Sequence, residues 1–427
     1  MWSLRLPFSI GILPQQTAPG ISKLTRLKNP CICIDSPSRP PPALREPHNV
    51  RHKNMIITNC AACAAPLAHD APRCVRCKTR YCNSPCQHDH WRRGHKQICK
   101  NIHRGGNAEQ YHADNKYKEA VAAAVEVCAE DTKGQTCYIC TEALHWRTKE
   151  GLVRMCACRG TAEFAHVSCL VEQAKVLREQ AEENNLSVRP SWTRWHTCGM
   201  CEQQYHGVVR CALGWACWKT YLGRPETDSA AMNAMTQLAN GLSIAKCHED
   251  ALAVRQAELS MLQRLGAPEE QMLAVQGNLA STYDELGHLE RALRMRRDVY
   301  SGKLRLYGEE SRDILMDAYN YSLSLLNFDL EHVEEAKVLL RKIIPVARRV
   351  LGEGDLITLT MKKVYAQTLH IADGATLDDL HEALKTLEET VRTARRVLGG
   401  EHPVTTIIVG ELEDSRAALR AREKLGS

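Results

Sequence analysis

Large aromatic side chains are scarce here: 3 Phe occur in 427 residues, and Phe, Trp and Tyr together make up 5%. That is low for one large mixed globule and suits small modules joined to a helical segment. The longest low-charge stretch, residues 120–129, is interrupted by Glu126, whereas a membrane-spanning helix needs about 18 apolar residues. No transmembrane segment is therefore expected. Pro7 and Pro14 break the N-terminal apolar run, so no secretory signal core precedes a cleavage site. Gly-rich phosphate loops, Ser/His/Asp sets and paired-carboxylate motifs are also missing, which leaves no candidate catalytic residues.

A broad basic face is lacking too. The formal charge of +6 comes from two places: residues 1–54 and residues 60–100 each carry eight Lys/Arg against two Asp/Glu, and the remainder is net acidic. Such a distribution gives little reason to expect nucleic acid as a partner. Residues 1–54, with Pro40, Pro41 and Pro42, have no helical or strand periodicity and are expected to be a disordered basic tail. An organellar transit segment is the alternative; a start at Met55 would remove the tail, and the cytoplasm or nucleus is the expected location.

What is abundant is cysteine. Fourteen of the 20 Cys fall into two clusters with CxxC or CxC spacing, each with a His at a ligand-like interval. Without a secretory signal, that pattern predicts a reducing compartment and metal thiolates rather than disulfides. Cys31, Cys33, Cys128, Cys211, Cys217 and Cys247 remain as expected free thiols, because no local set of four forms among them.

The first cluster runs Cys60-x2-Cys63-x10-Cys74-x2-Cys77-x4-Cys82-x3-Cys86-x8-His95-x3-Cys99. Eight such ligands divide into two closed tetrahedral zinc sites and leave no open position for catalysis. Apart from Trp91 and Ile98 the block has almost no large apolar residue, so metal must supply the folding energy, on the order of 10–16 kcal/mol per structural zinc. Arg80-Tyr81-Cys82, Cys86-Gln87-His88, Trp91 and His95-Lys96-x2-Cys99 resemble the MYND zinc finger. The resemblance implies an interleaved ligation, with Cys60, Cys63, Cys82 and Cys86 on zinc 1 and Cys74, Cys77, His95 and Cys99 on zinc 2. His90 is the rival ligand to His95. It also implies a peptide-docking role for Pro-containing motifs, which Pro42-Ala43-Leu44 in the tail matches in part.

The second cluster runs Cys137-x2-Cys140-x15-Cys156-x-Cys158-x7-His166-x2-Cys169-x28-Cys198-x2-Cys201. Cys156-Ala157-Cys158-Arg159-Gly160-Thr161 and His166-Val167-Ser168-Cys169-Leu170 resemble the RING-CH finger, also called the RING-variant domain. A plant-homeodomain finger shares the ligand order, but that family spaces the second pair more widely and puts a Trp two residues before the penultimate Cys. Here Trp195 stands three before Cys198. The RING-CH resemblance implies Cys137, Cys140, His166 and Cys169 on zinc 3, with Cys156, Cys158, Cys198 and Cys201 on zinc 4. Four Zn2+ per chain are thus expected. It further implies docking of a ubiquitin-conjugating enzyme on an apolar groove containing Ile139, with Leu170 and Trp195 as neighbours. Two features depart from the family: Glu202 follows the last ligand where active fingers often carry a basic residue, and residues 170–184 read as an inserted charged helix.

From residue 228 the texture becomes Ala, Leu, Arg and Glu at helical spacing. Gly266, Gly308, Gly352 and Gly399 recur at steps of 42, 44 and 47 residues, and Ala251, Ala292, Ala336 and Ala383 keep nearly the same register. Such periods mean an α-solenoid whose units bury their apolar faces on each other. The pattern resembles tetratricopeptide repeats of the long kinesin-light-chain variant, best in Leu398-Gly399-Gly400-Glu401-His402-Pro403.

The expected fold is therefore mainly α: two small cross-braced zinc modules followed by a solenoid of helix pairs. The expected domains are 1–54 tail, 55–102 first finger, 103–130 helical linker, 131–207 second finger, 208–227 connecting segment and 228–427 repeats with a capping helix. Trp215 and Trp218 are expected to pack the connecting helix. Three functions follow from the resemblances: a RING-type ubiquitin ligase or ligase subunit with the repeats as receptor for protein substrates, a non-enzymatic protein-binding scaffold, and a chromatin reader. The sequence leaves enzyme and scaffold open.

Overall fold

The computed structural model describes residues 59–426, apart from Ala64, Pro66, Ala68, His69, Met155, Ala157, Val188 and Asp373. The tail, with Cys31, Cys33 and the Pro-rich motif, and the alternative start at Met55 lie outside the described residues. The described chain is built mainly of helices and divides into two compact units, residues 59–267 and 268–426.

The first unit opens with the first finger. Its helices are α1 (Ser84–His90) and α2 (Lys96–Arg104), joined by a kinked segment, Trp91–His95, in which Gly94 takes a φ of 132°. Asn83 caps α1 by accepting the Cys86 N–H, which fixes the second ligand of a pair on the first turn. The small core here is Tyr81, Ile102 and Ala108 packed among the cysteines. Trp91 and Ile98, the only large apolar residues picked out from the sequence, are each 41% exposed and lie outside that core.

Helix α3 (Ala108–Val127) leads to the second finger. A two-stranded antiparallel sheet, β1 (Val153–Arg154) with β2 (Phe164–Ala165), pairs Val153 with Ala165 and carries Cys156 and Cys158 in its connection. Helix α4 (Val167–Glu183) follows at once and is the charged insertion expected from the sequence. Glu150 holds its start by accepting the Ser168 N–H at 2.6 Å and the Ser168 hydroxyl at 2.9 Å. A short α5 (Arg189–Thr193) returns the chain to the last ligand pair.

Helices α6 (Gly207–Tyr221), α7 (Ser229–Ile244) and α8 (His248–Arg264) complete this unit. Two glycines let α6 and α7 touch backbone to backbone. A Cβ on Gly241 would stand 2.8 Å from the Arg210 carbonyl oxygen, and one on Gly214 3.0 Å from that of Gln237. This close crossing ties the α7–α8 pair into the finger-bearing unit, and the compact division falls at residue 267.

The second unit contains α9 (Glu269–Glu285), α10 (Leu289–Tyr307), α11 (Arg312–Phe328), α12 (Val333–Leu351), α13 (Leu356–Ile371), α14 (Leu377–Leu398) and α15 (Pro403–Gly426). Successive helices pair around one core that includes Leu315, Leu340, Met361, Leu387 and Ile408. The register alanines Ala292, Ala336 and Ala383 are fully buried, where a larger side chain would push neighbouring helices apart. Gly308, Gly352 and Gly399 cap α10, α12 and α14 with φ of 72°, 92° and 92°, and each N–H returns to a carbonyl in the last helical turn.

Candidate metal centres

Three of the CxxC pairs share one turn. Lys78, Thr141 and Glu202 follow the second Cys with φ of 63°, 63° and 57°. Their N–H groups donate to the carbonyls of Cys74, Cys137 and Cys198 at 2.9, 2.8 and 3.2 Å. Closing the chain over each pair aims both sulfurs at one point. In the second finger the Ile139 and Met200 N–H groups donate to the sulfurs of Cys137 and Cys198, both at 3.4 Å.

These turns bring sixteen side chains into four sets: Cys60, Cys63, Cys82 and Cys86; Cys74, Cys77, His95 and Cys99; Cys137, Cys140, His166 and Cys169; and Cys156, Cys158, Cys198 and Cys201. Within each set the ligand atoms lie within 4.8 Å of one another. The sets interleave along the chain in both fingers. Four thiolates about 2.3 Å from one ion stand about 3.8 Å from each other. Cys63 and Cys82 sulfurs are 3.6 Å apart, Cys74 and Cys99 3.8 Å, and Cys158 and Cys198 3.7 Å. The sets have the composition and edge lengths of closed four-ligand zinc sites.

The histidines complete the fit. His95 Nε2 lies 3.3 Å from Cys77 Sγ. His166 Nδ1 lies 3.3 Å from Cys140 Sγ and 3.7 Å from Cys169 Sγ, while its Nε2 meets the Ala143 carbonyl at 3.4 Å, a partner that orients the ring. Burial lowers the pKa of both rings, which favours the neutral imidazole that ligates metal. His90 is excluded from the set: its Nδ1 lies 3.1 Å from the Tyr81 hydroxyl, and its ring stacks on His95.

Thiol electrostatics point the same way. Burial opposes ionisation of Cys60, but N–H donors from Cys63, Cys82 and Ala62 outweigh it and bring the thiol down to about 7. Cys201 falls to about 7 as well, against burial, through the Gln203 N–H and the Cys158 thiol. Cys74 and Cys137 are lowered similarly. Their neighbours move the other way: Cys99 is pushed up to about 12 by burial and the Cys74 contact, and Cys169 is raised by burial and the Cys137 charge. Like charges crowded together cannot all ionise, and a divalent cation removes that conflict.

The expected docking residues separate. Ile139 is 38% exposed on the first turn of the second finger. Leu170 is 1% exposed, on the inward face of α4 among Val167, Ala212 and Leu213, and cannot form a surface. Trp195 is fully buried against Tyr221 and Ala174, so its role is packing. Two apolar sites were missed. Met200, 60% exposed, occupies on the last CxxC turn the position that Ile139 holds on the first, and that shared spacing was the available signal. The other is a turn at 145–149 that copies the metal knuckle with His145 and Thr148 in place of the cysteines. Lys149 has a φ of 58°, its N–H donates to the His145 carbonyl at 2.9 Å, and Thr148 meets His145 Nδ1. His145 packs edge-on to His166, which leaves Leu144 and Trp146 58% and 68% exposed.

Glu202 is exposed. Cys128, Cys211 and Cys217 are buried thiols and Cys247 an exposed one, and none of the four belongs to a ligand set among the described residues. Among those residues no helix is long and apolar enough to cross a membrane.

Comparison with known proteins places a RING-variant domain at residues 137–186 and a tetratricopeptide repeat at 375–404. The RING-variant match stops before Cys198 and Cys201, beyond the α4 insertion. A ubiquitin C-terminal hydrolase 15 of Oryza sativa subsp. japonica is 37% identical over 93 residues, 21% of this chain and 9% of that protein. A ubiquitin carboxyl-terminal hydrolase 17 of Arabidopsis thaliana is 43% identical over 56 residues, 13% of this chain and 7% of that protein. The chain thus spans less than a tenth of the length of these curated relatives. Among solved structures, TPR-like repeats from Podosopora anserina, described as of kinesin light chain type, align over 54% of this chain and 97% of that one, with 16% identity and a TM-score of 0.36. BtubC (BKLC) from P. vanneervenii aligns over 60% and 88%, with 12% identity and a TM-score of 0.33. By its family matches the chain carries a RING-variant domain and a tetratricopeptide repeat, modules suited to protein partners.

Proposed function

We propose that the chain is a zinc-dependent RING-variant ubiquitin ligase or ligase subunit. Four Zn2+ would be held by the four sets, each closed by protein ligands, so none supplies an open position for a substrate or an activated water. The finger would act by proximity and orientation, holding a loaded conjugating enzyme in a reactive pose without a covalent intermediate of its own. The observation that carries the reading is Ile139: a partly exposed apolar side chain on a metal-pinned turn, its N–H committed to a ligand sulfur. Met200 on the matching turn and Trp146 extend the apolar surface available to the enzyme. The first finger would be a MYND-type peptide-docking module, and the repeats would receive the protein substrate. The named hydrolase activity of the two curated relatives does not transfer, since under a tenth of each is matched.

A scaffold without transfer activity is the second reading, and Glu202 favours it, since it is an exposed acid beside the last ligand where active fingers often carry a base. Ubiquitin-chain formation by the purified zinc-loaded protein with a panel of conjugating enzymes separates the two. The ligase reading expects chains with at least one enzyme, and a loss of about tenfold or more in Ile139→Ala at unchanged zinc content and melting temperature. Wild type, Ile139→Ala and Cys137→Ala giving the same background across the panel would leave the scaffold.

A further inference from the structure

The first finger holds the most exposed large apolar side chain among the described residues: Val75, 86% exposed, in the turn Cys74-Val75-Arg76-Cys77. That turn is a closed projection. Arg73 and Arg80 pair across its base as an antiparallel bridge, the Cys74 N–H donates to the Thr79 carbonyl at 2.7 Å, and the Lys78 N–H donates to the Cys74 carbonyl at 2.9 Å. Cys74 and Cys77 are buried in the set they share with His95 and Cys99. With both sulfurs turned inward, Val75 and Arg76 are held at a convex apex, and Val75 has no freedom to fold back onto the finger. Arg73, Arg76 and Lys78 flank that apex, and all three are exposed. Arg93 of the same finger pairs with Asp89, but none of these three has a carboxylate partner among the described residues. A Zn2+ on the set beneath, with three thiolates and a neutral imidazole, would count as −1, so the three cations outweigh it.

We propose that this apex docks on the anionic surface of a lipid bilayer: Val75 enters the headgroup layer, and Arg73, Arg76 and Lys78 lie against the lipid phosphates and carboxylates. Shape selects this partner over a peptide, which is held in a groove or along a sheet edge, whereas the apex is convex and offers a single aliphatic side chain. Val75 also lacks the ring that stacks on a base and the donors that read a base edge, so nucleic acid fits less well. Charge excludes the chain's own N-terminal segment, since residues 1–54 carry eight basic and two acidic side chains. A bilayer surface is both anionic and able to deform around an apolar tip. Each cation near such a surface strengthens binding about fivefold, so three give roughly a hundredfold. This docking does not depend on ubiquitin transfer.

Co-sedimentation of the zinc-loaded full chain with sucrose-filled vesicles tests this, using phosphatidylcholine alone or mixed with about one third phosphatidylserine. Binding is expected to the mixed vesicles only and to weaken as salt rises. It should fall about threefold or more in Val75→Ser, and roughly a hundredfold in Arg73→Gln/Arg76→Gln/Lys78→Gln. None of the four residues is in a metal set, so the zinc count by native mass spectrometry should be unchanged. If the triple variant nevertheless loses zinc, Val75→Ser and Arg76→Gln alone carry the test, the latter with about a fivefold loss. The proposal is overturned if vesicles without phosphatidylserine bind equally well. It is overturned too if the variants bind as wild type does, since the attraction would then come from basic residues elsewhere, residues 1–54 among them. Polyglutamate or a random oligonucleotide that binds more tightly than the mixed vesicles, and is lost in the same variants, would make an acidic protein or nucleic acid the partner and overturn it as well.

Discussion

At the residue scale, the candidate metal sets were legible because a CxxC turn is local: four residues fix both sulfurs, and the left-handed residue after them, Lys78, Thr141 or Glu202, closes the loop. Which apolar residues reach solvent was not legible, because spacing does not say which way a side chain faces once a helix packs. Leu170 and Trp195 turned inward for that reason, while Met200 and Trp146 turned out. Glu202 is the residue on which enzyme and scaffold divide. Glu202→Arg removes an exposed acid beside the last ligand, and if that acid restrains transfer the variant should form ubiquitin chains about fivefold faster than wild type, the equivalent of about 1 kcal/mol. Initial rates at fixed conjugating enzyme measure this, and an unchanged rate would show that the charge at 202 is not the restraint.

Among elements, the repeat was visible as a glycine period, and the structure gives that period its cause. Gly352 ends α12 at φ 92° and ψ 164°, a region essentially closed to residues with a Cβ, so Gly352→Ala should cost about 1–3 kcal/mol and lower the urea midpoint. Gly410, inside α15 with nothing within 4 Å of an added Cβ, is the contrast: Gly410→Ala should stabilise by about 0.5–1 kcal/mol through helix propensity alone and raise the midpoint. Other features are tertiary and left no local trace. Gly241 looks like any helical glycine until α6 is placed against it, and Gly241→Ala, which forces a Cβ onto the Arg210 backbone, should cost about 1–3 kcal/mol. The paired helices also repeat a polar clasp, in which Arg297 and Arg341 donate to the hydroxyls of Tyr321 and Tyr365, which donate in turn to Glu335 and Glu382. Its members lie on three different helices in each case and recur at steps of 44, 44 and 47 residues, in keeping with the glycine period, but that they touch is visible only in the structure.

For the whole molecule, one property of the sequence makes the two units separately observable. All seven Trp precede residue 219, whereas the second unit has none. Chelation should therefore red-shift the tryptophan emission as the fingers lose their metal, while the helical circular dichroism of residues 268–426, built on its own apolar core, largely persists. Simultaneous loss of both signals would mean that the repeats depend on the fingers. Metal also changes the charge balance. Two Zn2+ against seven thiolates would leave each finger three units more negative and bring the formal +6 to about zero.

The account stands on four closed metal sets, and native mass spectrometry of the full chain counts them directly. It predicts four Zn2+ per chain, falling by one when a single set is broken by Cys63→Ser, Cys77→Ser, Cys140→Ser or Cys201→Ser. A wild-type chain that carries two or fewer ions, with the remaining thiols open to alkylation, would contradict it.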